Sequence, residues 1–129
     1  MAHYNSFEDL EVFKKAREVS QKVWVIIQTT ELRHDFELRN QINASSGSVM
    51  DNIAEGFGRG GNKEFIHFLG IARGSCCEVK SQLLRCLDRG YLDENSFYKF
   101  NEETQDLIDQ LSKFSNYLKH SDKRGNKFD

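Results

Sequence analysis

Apolar residues in this chain recur at helical spacing in four successive segments. In the first, about 7–29, Val12, Ala16, Val19, Val23 and Ile26 alternate steps of four and three, which places them on one helix face. A second stripe, Leu10, Phe13, Trp24 and Ile27, runs beside it, so the apolar surface is wider than one core-facing seam needs. Ser6 is expected to cap this helix, with Glu8 and Asp9 in the first turn. Residues 29–35 read as a connection. In the second segment, about 36–58, Leu38, Ile42, Ser45, Val49 and Ile53 share a face. The run Ala44-Ser45-Ser46-Gly47-Ser48 has weak helix propensity, but the apolar spacing stays in phase across it and predicts a continuous helix.

Glycines at 56, 58, 60 and 61 end that helix, and Asn62 is expected to cap the third, about 63–89. Phe65, Phe68, Leu69, Ala72, Cys76, Val79, Leu83 and Cys86 form its main stripe. Ile66, Cys77 and Leu84 form a weaker one, flanked by Arg73 and Lys80. Gly70 and Gly74 lie in the helix interior, where each costs about 1 kcal/mol against alanine. With Gly47 they predict close packing of the second and third helices. Gly90 ends the third helix and Asp93 caps the fourth, about 94–119, whose seam is Phe100, Thr104, Leu107, Leu111, Phe114 and Leu118. Residues 120–129 lack periodicity and read as a polar tail. No strand alternation competes. The pattern predicts an all-α, antiparallel up-down-up-down four-helix bundle forming a single domain over 1–129. The surplus apolar surface on helices 1 and 3 fits either self-association or deeper burial.

Composition narrows the function. A net charge of -2 supplies no global basic field for nucleic acid. There is no proline, which suits long uninterrupted helices. No apolar run reaches the roughly 18 residues of a membrane span, and residues 1–9 show no signal-peptide pattern. Cys76, Cys77 and Cys86 are odd in number and lack C-x-x-C spacing, which points to reduced thiols and a cytoplasmic setting.

Several motifs carry candidate chemistry. Gly56-x-Gly58-x-x-Gly61 satisfies a dinucleotide-binding expression, but a helix precedes it where that fingerprint needs a strand. Backbone N–H groups at the start of the third helix, with Arg59 and Lys63, could instead meet a phosphate. Glu31/His34 and Glu64/His67 are E-x-x-H pairs, as in di-metal bundles. The first pair straddles a connection, and the fourth helix's seam offers no inward glutamate. Asn52 and Glu55 are expected to hydrogen-bond backbone groups at the turn between helices 2 and 3, or a neighbouring subunit. Cys76 and Cys77 suit packing better than redox chemistry. Arg59, Lys63, Arg73, Lys80, Arg85 and Arg89 are the candidate nucleic-acid-binding cations, interleaved with Glu64, Glu78 and Asp88.

Particular residues carry a family likeness over about 7–118. They include Asp9-Leu10-Glu11-Val12-Phe13, Leu38-Arg39-Asn40-Gln41, Ser48-Val49, Asn52-Ile53-Ala54-Glu55-Gly56 and Lys63-Glu64-Phe65. Phe68-Leu69-Gly70-Ile71-Ala72-Arg73-Gly74-Ser75, Glu78 and Gly90-Tyr91-Leu92 complete the set. The chain resembles the bacterial four-helix-bundle family of proteins encoded in 23S rRNA intervening sequences, also labelled S23 ribosomal proteins, and the similar accessory protein of diversity-generating retroelements. It departs at 29–36, where the family often carries proline. The resemblance implies a homopentameric ring or barrel, and in some members an association with nucleic acid or a reverse transcriptase; it does not imply an enzyme, and no cofactor is expected. The leading expectation is a non-enzymatic oligomeric scaffold or adaptor, with RNA, DNA or a nucleic-acid enzyme as candidate partner. The alternative is a metal-dependent bundle enzyme.

Overall fold

The computed structural model describes residues 4–121. The expected polar tail falls largely on 122–129, outside the described residues. Four α-helices follow one another: α1 (Glu11–Thr29), α2 (Phe36–Gly58), α3 (Asn62–Asp88) and α4 (Glu94–Ser121). Each packs on its neighbour in sequence, and α1 also meets α4, which closes the four-helix bundle. The α2–α3 and α3–α4 pairs are the most extensive, and α1 rests more on α2 than on α4. Among the described residues, no helix is long and apolar enough to cross a membrane.

The predicted stripes form the core. Val23, Leu38, Ile42, Val49, Ile53, Phe65, Leu69, Leu83, Leu107, Leu111 and Leu118 are fully buried. Burial of each such side chain contributes about 1.5–3 kcal/mol. Most of α1's second stripe is spent here too, because Leu10, Phe13 and Ile27 are buried while Trp24 is exposed. As expected, α2 runs unbroken through Ala44–Ser48.

The element ends differ from expectation in four places. Helix α1 begins at Glu11, not near Phe7, and a short 3-10 turn at Phe7–Asp9 precedes it. Residues 7 and 13 would lie about 120° apart around one continuous helix. The extended backbone at Leu10 instead lets the Phe7 and Phe13 rings meet edge to face at 4.8 Å. Ser6 therefore caps no α-helix. The connection after α1 holds a second 3-10 turn, Glu31–His34, which buries Leu32. Asn62 does not cap α3: Gly61 stands at that position, and Asn62 is buried in the first turn, donating to the Leu118 carbonyl at 3.3 Å. Lastly, α4 continues through His120 and Ser121.

The expected tight packing at Gly47, Gly70 and Gly74 is also absent. Among the described residues, a methyl group at any of them would meet nothing within 4 Å. The close approach is at Gly56, where a Cβ would lie 2.7 Å from Phe68 Cβ and 2.9 Å from the Phe65 ring. Gly90 fulfils its expected role. At φ 77° it sits in a Schellman turn, with Tyr91 N–H donating to the Cys86 carbonyl at 2.9 Å and Gly90 N–H to Leu87 at 3.0 Å.

Two substitutions on α2 should therefore move stability in opposite directions. Gly56→Ala forces backbone and aromatic rings apart and should destabilise by about 1–3 kcal/mol. Gly47→Ala gains helix propensity without a clash and should stabilise by about 0.5–1 kcal/mol. Urea denaturation midpoints check both signs.

Candidate functional site

The six candidate cations do not converge. Arg59 and Lys63 lie at the α2–α3 turn, whereas Arg85 and Arg89 lie at the far end of α3. At about 1.5 Å per residue, these ends are some 30–40 Å apart. Arg73 and Lys80 lean toward α4, donating to Ser112 at 2.9 Å and to Gln105 at 2.6 Å. Arg85 leans the other way, to Gln41 on α2 at 2.8 Å. Arg59 pairs with Glu55 at 2.9 Å and lies over the Phe68 ring at 5.1 Å. Lys63 is exposed in α3's first turn. Among the described residues the six candidates thus form two small basic ends and no continuous basic groove.

Neither the Asn52 nor the Glu55 side chain is seen to bond a backbone group of the α2–α3 turn. The Asn52 amide donates one turn back, to the Ser48 carbonyl at 2.8 Å and the Ser48 hydroxyl at 2.9 Å. Ser48 in turn meets Ser75 of α3 at 3.0 Å, so a small polar layer stitches α2 to α3. Glu55 is exposed and bound to Arg59. The lateral surface here is made of small groups, including the half-buried Ser48 and buried Ser45 and Ser75.

The outward face of α3 carries Gly70, Gly74, Cys77, Ser81 and Leu84, all exposed. Their spacing of four, three, four and three puts them on one stripe. Leu84 is 49% exposed, and Ile71 beside the stripe is 41% exposed. On α1, Trp24 and Val25 are 51% and 53% exposed.

Sequence reasoning missed a polar clasp at the far end of the bundle. Asp35 caps α2, its Oδ1 accepting from the Leu38 N–H at 3.3 Å. Its Oδ2 accepts from Arg89 at 2.6 Å and from the Tyr91 hydroxyl at 2.8 Å, which ties the end of α3 to the start of α2. The aspartate directly before an apolar-periodic segment was the available signal for the cap; nothing in the sequence identified its distant partners. Bonds from Tyr91 and then Arg89 hold the Asp35 carboxyl below its ordinary value of 3.8. Gln82 is the second omission: it is buried between α2 and α3, although it falls outside the apolar stripe.

The thiols are free, with Cys77 exposed and Cys76 and Cys86 buried. Burial pushes Cys76 up to about 12 and Cys86 up to about 11, so both stay protonated and unreactive at neutral pH. The two E-x-x-H pairs are exposed at opposite ends of α2. Among the described residues, no cluster of three or more His, Cys, Asp or Glu side chains could hold a metal. The Gly56–Gly61 run ends a helix and follows no strand, so its surroundings are not those of a dinucleotide site.

The family model for the 23S rRNA-intervening sequence protein matches residues 8–113. The chain belongs to that family. The span covers the bundle from the first 3-10 turn into the last third of α4. The fold is also that of a crystal structure of a protein with unknown function from the S23 ribosomal protein family of Bacteroides thetaiotaomicron VPI-5482. The TM-score is 0.74 at 20% identity, covering 81% of this chain and 97% of that one. No curated protein matches this chain significantly. Neither the family description nor the structural neighbour indicates an enzyme.

The clasp predicts a pH dependence with a definite sign. A carboxyl whose folded value is depressed contributes stability that is present above its unfolded value and lost as pH falls through the folded one. The stability difference between wild type and Asp35→Asn should therefore be largest above pH 3.8 and shrink as the medium is acidified below it. Denaturant titrations across that range measure the difference; a gap that widens on acidification contradicts the assignment.

Proposed function

We propose that the protein is a non-enzymatic scaffold that assembles with copies of itself through the outward face of α3 and engages a nucleic acid or a nucleic-acid enzyme. The observation that carries the reading is the pair Gly70 and Gly74. Each costs the helix about 1 kcal/mol, and among the described residues neither is offset, since none lies within 4 Å of a Cβ at either position. A second helix brought against small residues at 70, 74, 77 and 81 would supply that offset and would cover Leu84. The resemblance to the S23 family implies a ring of five copies.

Such a ring repeats Arg59 and Lys63 around one rim and Arg85 and Arg89 around the other. Repetition converts two weak basic ends into multivalent sites. The family description, a protein of 23S rRNA intervening sequences, supports nucleic acid as the first partner to test. The free thiols suit a reducing, cytoplasmic setting.

Sedimentation at micromolar concentration tests the assembly. Wild type should sediment as an oligomer, and Gly74→Leu should shift toward the 15.0 kDa chain while helix content by circular dichroism is unchanged. A wild type that sediments as a single chain contradicts the proposal. In RNA titrations the oligomer should bind mixed-sequence RNA and lose affinity steeply between about 50 and 200 mM salt. Replacing Arg59 and Lys63 together should flatten that slope. Absence of binding at low salt would leave a protein partner as the cargo.

A further inference from the structure

A groove of about 500 Å³ runs between α2 and α3, lined among others by Gln41, Ser45, Glu78, Ser81, Gln82 and Arg85. Gln82 is only 8% exposed, and its Oε1 is buried with no hydrogen-bond partner among the described residues. A buried acceptor left unpaired is costly and calls for a donor. None of the groove's own donors bonds it. Arg85 donates to Gln41 at 2.8 Å and turns toward Glu37 at 4.0 Å, while Glu78 is an acceptor when ionised.

The complementary feature lies on α1. Trp24 is 51% exposed beside Val25 at 53%. An indole is an N–H donor with no acceptor, carried on a large apolar ring, and such side chains anchor protein interfaces. Trp24 is not among the residues lining the groove of its own chain. We propose that the Trp24 indole of one copy docks in the α2–α3 groove of the next copy and donates its N–H to Gln82 Oε1. The inference rests on the self-association proposed above and goes beyond it by naming the two surfaces that meet. Ser81 belongs to both the groove and the outward stripe of α3, so one neighbour can cover both. A contact from α1 of one copy to α2–α3 of the next is head to tail, the type that generates closed rings.

Trp24 is the chain's only tryptophan, so its fluorescence reports this contact alone. At concentrations where sedimentation gives an oligomer, its emission should shift to the blue relative to the dilute chain, and acrylamide quenching should fall. Gln82→Leu, which removes the acceptor at similar bulk, should weaken assembly by about tenfold. In a Trp24→Phe background, the same substitution should change assembly far less. An oligomer in which Trp24 keeps the emission and quenching of the dilute chain overturns the proposal while leaving self-association intact. Losses that simply multiply in the double variant overturn the Trp24–Gln82 pairing. A chain that never assembles removes both proposals together.

Discussion

The backbone of α2 comes so close to α3 at Gly56 that no side chain fits there, and the architecture follows from that approach. A Cβ at this position would strike Phe68 and Phe65. Because it does not exist, the first turns of α3 fold directly against the last turns of α2. Phe65 is then driven into the core, edge to face with Phe57 at 6.1 Å and with Phe114 of α4 at 5.4 Å. Asn62 reaches the Leu118 carbonyl from the same turn. One short segment thereby fixes the α2–α3 hairpin and joins it to α4.

The opposite end of the bundle is held by polar chemistry. Asp35 gathers the Leu38 N–H, the Arg89 guanidinium and the Tyr91 hydroxyl, so the start of α2 and the end of α3 are tied at one carboxylate. Between these ends, Ser48, Ser75 and Asn52 bridge the two helices with small side chains. Beside this polar layer, the outward stripe of α3 carries Gly70, Gly74, Cys77 and Ser81. By contrast α1 packs less on α4, with Lys15 paired to Asp106 at 2.6 Å and Lys22 paired to Glu103 across that seam. Exposed pairs of this kind contribute little to stability. The surface proposed for a partner is therefore carried by the most extensively packed pair of helices.

Helical periodicity made the architecture legible. The stripes through Val12–Val23, Leu38–Ile53, Phe65–Cys86 and Phe100–Leu118 mark the buried faces because burial and spacing report the same property. The helix starts were less legible, since Leu10 breaks α1 for a tertiary reason, the Phe7–Phe13 contact. Glycine roles were the least legible. Gly70 and Gly74 look in sequence like packing positions, and only the fold reveals that Gly56 is the crowded one. The polar contacts of Asp35 depend on residues more than 50 positions away, and the burial of Gln82 depends on α2 residues about 40 positions away. Cation spacing along α3 could not show that Arg73 and Lys80 face α4 while Arg85 faces α2.

The central claim is that small residues on the outside of α3, unsupported within the chain, belong to a head-to-tail assembly of identical copies. A native mass spectrum of the purified protein at micromolar concentration tests it most directly. The account predicts a closed ring, with a dominant mass five times the 15.0 kDa of one chain. A spectrum dominated by the single chain, or by a self-complementary dimer, would contradict it.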